Sequence, residues 1–277
     1  AEPLPAAAAL ALFVAGAEVA IDRVRALPIE ELVAADLVER AGDRVRARVA
    51  ILPVGIPRSA PHSSGLVICD RHDAPATSEL VCWPDDSSQH LANAIPHHRV
   101  ARWLDLGCGS AYAPLARPGV AGEITGVELN PRAVAYSRLG ATLSGIAHLE
   151  IVHGDLAVAQ PAAALVTCNA PMPTLATDPD DAVMWRHTDD DLFARLVAVI
   201  PARVAPGGVA VVHAALSAIA LEALPGERRV VAYTPSGAVP GFGVLWWRPD
   251  APARLAITHR ALTPERPHLD ARDGESC

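Results

Sequence analysis

Val100-Ala-Arg-Trp-Leu-Asp-Leu-Gly-Cys-Gly-Ser-Ala-Tyr112 is an apolar run that meets an acid and then a pair of glycines. A buried parallel strand is short, apolar and β-rich before a turn signal. Trp103-Leu104-Asp105-Leu106 runs into Gly107-Cys108-Gly109 in that way. Glycines at such a place let the backbone approach a ligand closely. A dinucleotide fingerprint needs a third glycine three positions after the second, and Tyr112 stands there instead.

The stretches downstream continue the pattern. Glu123-Ile-Thr-Gly-Val-Glu128 reads as a second strand, with Asn130 as cap and Pro131 at the first position of the next helix. Glu128 lies 21 residues beyond Gly107. A carboxylate at the tip of the second parallel strand is placed to accept both hydroxyls of a ribose. Residues 149–155 supply a third strand ending in Gly154-Asp155, and His153 belongs to that strand rather than to chemistry. Ala164-Leu-Val-Thr-Cys168 is a fourth strand that delivers Asn169-Ala170-Pro171-Met172 to the carboxyl edge of the sheet, where open α/β folds bind ligands.

The strand, acid, Gly-x-Gly and helix pattern of Asp105, Gly107 and Gly109 resembles the first motif of class I S-adenosylmethionine-dependent methyltransferases. A carboxylate two residues before the first glycine suits the cationic methionine end of that cofactor. The resemblance covers residues 84–248. It implies an α/β fold with a doubly wound seven-stranded sheet, and S-adenosylmethionine as cofactor. It further implies that Asp105, Gly107, Gly109, Glu128, Leu129 and Asn169 contact the cofactor, that Asp155 meets the adenine amino group, and that Leu156 packs near the ring.

Asn169-Ala170-Pro171-Met172 resembles the Asn-Pro-Pro-aromatic tetrapeptide of N-methyltransferases that act on amide or exocyclic amino nitrogens, release-factor glutamine and nucleobase enzymes among them. There the Asn oxygen and a following main-chain carbonyl accept the two hydrogens of the target nitrogen. The Ala170 carbonyl survives replacement of the first Pro. Met172 replaces the aromatic residue, and stacking worth about 1 to 3 kcal/mol per base is lost with it, which weakens a nucleobase reading.

Working outward, residues 4–24 and 28–40 read as two helices, and residues 43–52 as a half-exposed strand with Arg44, Arg46 and Arg48 outward. Residues 65–70 make a second strand, so residues 1–83 are expected to form a small α+β cap of winged-helix type that shapes an acceptor pocket. Residues 84–262 are expected to form the cofactor-binding domain and residues 263–277 a disordered tail. In the helix expected after Pro84, Asp86 or Ser87 is the cap; the resemblance implies that this helix closes over the cofactor, and for Ser88 and Gln89 plain capping is preferred to a cofactor contact. Residues 173–187 form a Pro- and Asp-rich loop with Trp185, long enough for a lid, followed by Thr188 as helix cap and acids at 189–191. Later strands are expected over 209–213, 228–234 and 242–248, with a further edge strand over 255–262. Trp246 and Trp247 point to opposite faces, one in the core and the other free to line a pocket.

Composition bounds the rest. A chain of 277 residues that is 51% hydrophobic can bury a large core, and a net charge of −8 argues against nucleic acid as main partner. Five scattered cysteines favour a reducing compartment, the cytoplasm, over a disulfide framework. Residues 6–17 are apolar, but no basic segment precedes them and acids follow at 18 and 22, so a soluble helix is expected there and no membrane span. Neither the histidines nor the acids near residue 180 show metal-ligand spacing. The acceptor reading that follows is an amine or amide nitrogen of a small molecule or peptide. The alternatives are a nucleic-acid base, a hydroxyl acceptor, or a cofactor-binding module without catalysis, NAD-binding included.

Overall fold

The computed structural model describes residues 6–55, 65–75, 77–173, 187–188, 191–216, 221–233, 241–269 and 271–275. The cap begins with α1 (Ala6–Ala9), which passes into a π-helical turn, Leu10–Val14. Gly16, at φ +64°, ends that helix well short of residue 24. There follow β1 (Val19–Ala20), a 3-10 turn Ile21–Val24, α2 (Ile29–Ala34), β2 (Val38–Ala41), β3 (Arg44–Ala47), β4 (Val49–Val54) and β5 (Gly65–Asp70). Strands in the order β1-β3-β2 form one antiparallel sheet, and β4 pairs with β5 in another.

Two expectations change here. The helix expected over 28–40 stops after Ala34, because Asp36 takes φ +59° and Val38 turns inward to pair with Ala47. The strand expected over 43–52 divides at Arg48. Val45 and Ala47 keep the in-out alternation, whereas Val49 and Ala50 are both buried and lead into the second sheet. The described part of the cap is thus α+β, two short helices with five strands in two sheets.

The second part runs α3 (Asp86–Ala94), β6 (Val100–Leu106), α4 (Tyr112–Ala116), β7 (Ala121–Glu128), α5 (Pro131–Leu143), β8 (Leu149–His153) and β9 (Ala163–Asn169). It continues with the short parallel pair β10 (Met172–Pro173) and β11 (His187–Thr188), then α6 (Asp191–Arg203), β12 (Val204–Leu216), β13 (Glu227–Ala232), β14 (Gly241–Arg248), β15 (Arg254–His259) and α7 (Ala271–Glu275). The main sheet has eight strands in the order β15-β13-β14-β12-β9-β6-β7-β8; β14 runs antiparallel to both its neighbours and the other pairs are parallel. The order reverses between β6 and β9, which opens a crevice outside their carboxyl ends. β15 is the eighth strand, added at the edge.

Both faces are covered, so the central strands are largely apolar, with Asp105, Thr167 and His213 as buried polar exceptions. Trp103, Leu165, Val211 and Trp246 pack under α3 to α5 with Leu91, Leu115 and Val134. Leu104, Val166, Val212 and Trp247 pack against Leu196 and Ile200 of α6. Neither tryptophan pair member lines a pocket: Trp246 donates its indole N–H to the Ala94 carbonyl at 3.0 Å and Trp247 to that of Pro225 at 2.7 Å. The C-terminal stretch expected to be disordered folds back onto α3. Leu269 is fully buried and gives its backbone N–H to His90 Nδ1 at 3.0 Å, and Arg260 pairs with Asp273. Thr188 lies in β11, and α6 begins at Asp191; the loop residues 174–186, with Trp185, lie outside the described residues, as do Asp189 and Asp190.

The cap is held on α5 by a buried acid. Asp70, 4% exposed, accepts Arg132 Nη2 at 2.7 Å, the Val81 N–H at 2.8 Å and the Tyr136 hydroxyl at 3.4 Å. Asp70→Ala strands these donors and is expected to cost about 2 kcal/mol. Glu39→Ala, which breaks an exposed pair with Arg48, is expected to cost no more than about 0.5 kcal/mol. Urea denaturation of both variants checks this, and equal losses would contradict it.

Candidate active site

The crevice at the reversal point is formed by the ends of β6, β7 and β9. Gly107 and Gly109 take φ of +63° and +54°, and a Cβ added at either would meet nothing within 4 Å. The loop therefore has open space before it, room for a ligand against bare backbone. Ala111, also at positive φ, is held in a conformation that costs a non-glycine residue roughly 1 kcal/mol. The loop is tied down by Cys108 N–H to the Val127 carbonyl at 3.0 Å and by the Ser137 hydroxyl to the Gly109 carbonyl at 2.6 Å.

Two acids face this loop. Glu128, 7% exposed, accepts the Gly109 N–H at 2.7 Å and the Asn130 N–H at 2.8 Å. A carboxylate has about four acceptor positions, more than these two bonds use, so Glu128 keeps acceptor capacity for a ligand hydroxyl. Burial raises the Glu128 pKa against the pull of these backbone donors. Asp105, 3% exposed, accepts the Thr167 hydroxyl at 2.5 Å. Burial lifts its pKa to about 7, opposed by the Thr167 hydrogen bond and reinforced by Glu128. Both donor set and open loop fit a ligand with a ribose and a positive charge.

Asp155 lies on the loop after β8, where Ala157 N–H binds it at 3.0 Å and Arg195 at 2.5 Å, and both hold its pKa below the usual carboxylate range. Leu129 is 47% exposed, and Leu156 packs partly on the lower core. His153 donates to the Leu129 carbonyl at 3.0 Å and stays with the strand.

At the end of β9, Asn169 Nδ2 donates to Ser87 Oγ at 2.8 Å and lies 3.4 Å from Ser88 Oγ. Among the described residues nothing donates to its Oδ1. Asp85, one residue before the expected caps, caps α3 by accepting Ser87 N–H at 3.0 Å and Ser88 N–H at 3.4 Å. Gln89 accepts the Tyr112 hydroxyl at 2.5 Å, so α3 clamps both the glycine loop and Asn169. The Ala170 N–H reaches the His213 carbonyl at 2.9 Å. The side chain of Met172 lies outside the described residues.

Sequence reasoning missed a cluster of rings beside Asn169. His213 pairs in register with Asn169, bonds Tyr233 through Nε2 at 2.7 Å, and lies near His90, whose ring is 4.3 Å from that of Tyr233. Their spacing along the chain offered no signal. Burial depresses both imidazoles to about 4. No grouping of potential metal ligands exists among the described residues, and no described helix is long and apolar enough to cross a membrane.

The doubly wound sheet, with the acid-glycine loop at its reversal point, has the fold of class I S-adenosylmethionine-dependent methyltransferases. Residues 82–210 match the family model of the methyltransferase small domain. No curated protein sequence matches the chain. Among solved structures, it is similar to YcgJ from Bacillus subtilis at 18% identity and TM-score 0.37, over 48% of this chain and 51% of that one. A predicted O-methyltransferase, Atu636 from Agrobacterium tumefaciens, matches at 19% identity and TM-score 0.46, over 64% and 86%. The 16S rRNA N2 G1207 methyltransferase of T. thermophilus, solved with AdoMet and guanosine, matches at 18% identity and TM-score 0.47, over 83% and 63%. The chain thus spans about half the length of the first of these structures.

The two histidines set a pH dependence. Folded His90 and His213 stay neutral down to about pH 4, while the unperturbed group takes its proton at 6.5. Their contribution is complete above about pH 6.5 and is lost as pH falls towards 4. The urea midpoint of the wild type should therefore fall more steeply across that window than that of His213→Gln; equal slopes would count against it.

Proposed function

We propose that the chain is an S-adenosylmethionine-dependent methyltransferase that methylates an amine or amide nitrogen of a small molecule or peptide, with Asn169 and the Ala170 carbonyl holding the acceptor. The observation that carries this is the anchoring of Asn169 by its Nδ2 to Ser87, which leaves Oδ1 as the acceptor end of the side chain. S-adenosylmethionine, when bound, supplies an electrophilic methyl group on a sulfonium. In this reading Asp105 faces the cofactor's cationic end, Gly107 and Gly109 let it approach, Glu128 takes the ribose, and Leu129, Asp155 and Leu156 flank the adenine. Oδ1 of Asn169 and the carbonyl of Ala170 accept the two N–H groups of the acceptor and turn its lone pair towards the methyl. Pro171 follows on the same segment, and Met172 is assigned to the acceptor site in this reading by the tetrapeptide alone. A dry site favours a transfer in which the sulfonium charge disappears.

Residues up to 83 form the substrate cap in this proposal, and residues 84–262 the catalytic domain. The cap's arginines give a nucleic acid little to dock on. Arg44 pairs with Glu18 at 3.5 Å, Arg46 with Asp73 at 2.5 Å, and Arg48 with Asp36 at 2.7 Å and Glu39 at 3.6 Å. With its charges matched locally and a net −8 overall, the protein offers no continuous basic face along this strand. The four described cysteines are free, in keeping with a reducing cytoplasm.

A screen with labelled methyl donor against amines, amides, hydroxyl compounds and RNA tests the acceptor class; label in RNA or hydroxyl products alone would overturn it. Once an acceptor is found, Asn169→Ala should keep the cofactor Kd within about threefold while lowering kcat at least tenfold, the scale of one lost hydrogen bond to the reacting group. Glu128→Ala should instead weaken cofactor binding roughly ten- to a hundredfold. Unchanged turnover in the first variant would remove the proposed centre.

A further inference from the structure

Asp105, Thr167 and Trp103 form a dry polar string across β6 and β9. Asp105 and Thr167 are register partners, and Trp103 lies two residues earlier on the same face. Trp103 and Thr167 are fully buried. The Trp103 indole N–H donates to Thr167 Oγ1 at 2.7 Å, and the hydroxyl lies 2.5 Å from Asp105 Oδ1.

The direction of this string follows from chemistry. An indole nitrogen only donates, and a threonine hydroxyl has a single hydrogen. With the indole on its lone pair, the hydroxyl directs that hydrogen to Asp105. A donor aimed at a carboxylate favours the charged form. The other titratable groups facing Asp105 work the opposite way or stay neutral. Glu128 at the tip of β7 opposes its ionisation, and the thiols of Cys108 and Cys168 are pushed up by burial and by the two acids. A packing role alone needs neither a hydroxyl nor an indole N–H here, since valine fills the space of threonine.

We propose that Trp103 and Thr167 are positioning residues for cofactor binding, which lock a hydroxyl donor onto Asp105 and so favour its charged form and orient it for the cationic end of S-adenosylmethionine. The inference rests on the reading of Asp105 as the carboxylate that faces the cofactor. It adds two residues, buried behind the site, that set the strength of that contact.

The test needs no acceptor. The Kd for S-adenosylmethionine is measured by calorimetry from pH 5.5 to 9 on the wild type, Thr167→Val, Thr167→Ser, Trp103→Phe and Asp105→Asn. Wild-type affinity should weaken about tenfold per unit below pH 7, where binding must first remove a proton from Asp105. Thr167→Val should move this break upward by roughly one to two pH units, the worth of a hydrogen bond to a charged group. Thr167→Ser should restore it, and Trp103→Phe should place it between the wild type and Thr167→Val. A break at the wild-type pH in Thr167→Val overturns the inference, as does an unmoved break in Trp103→Phe for the tryptophan. A wild type without a break, or an Asp105→Asn that keeps one, shows instead that the underlying reading of Asp105 has failed. Should Thr167→Val not fold, Trp103→Phe against wild type decides, since it removes the N–H and leaves the Thr167 hydroxyl in place.

Discussion

A carboxylate shut in a dry core is costly, and this fold keeps Asp105 at the one place where that cost has a use. Burial alone would hold the acid protonated over most of the physiological range. One hydroxyl, directed by an indole behind it, works against burial and leaves the group poised near neutrality. A ligand that brings a positive charge to the crevice completes the ion pair. The reversal of strand order between β6 and β9 is what brings Asp105 and Thr167 side by side there, so the topology and the electrostatics of the site share one origin.

The surrounding elements hold that arrangement from two sides. Glu128 gathers the Gly109 and Asn130 N–H groups and thereby ties the glycine loop to the start of α5. The same helix start carries Arg132, whose partner Asp70 belongs to the cap, so cap and cofactor loop are joined through a single turn of helix. From above, α3 grips Tyr112 with Gln89 and Asn169 with Ser87, and its far side carries His90, on which the C-terminal stretch closes. A change at either end of the chain therefore reaches the site through α3 or α5.

Much of this was legible in the sequence because it depends on short-range signals. The acid-glycine loop and the Asn130-Pro131 helix start each lie within a few residues, Glu128 follows Gly107 by 21 residues, one strand-helix-strand step, and the structure has Asn130 capping α5 through the Arg132 N–H at 2.9 Å. The order of strands carrying Asp105, Glu128 and Asn169 was likewise readable from alternating apolar runs and turns. What stayed hidden depends on pairing over distance or on backbone angles that composition does not reveal. Asp36 in a left-handed conformation ended a helix whose apolar period continued, and the run of two buried residues after Arg48 moved a strand into a second sheet. Thr167 meets Asp105 across 62 residues and Leu269 meets His90 across 179, separations over which no local pattern reports. The tail therefore read as unstructured, although a buried leucine and an ion pair fasten it.

The central claim is that a buried, partly protonated Asp105 receives the charge of the cofactor. It is tested most directly by counting protons. Calorimetric titration of the protein with S-adenosylmethionine at pH 7, in two buffers of different ionisation enthalpy, reads the number released on binding. With Asp105 at about 7, about half a proton should leave per cofactor bound, and almost none at pH 9. Binding with no proton release at pH 7 would contradict the account.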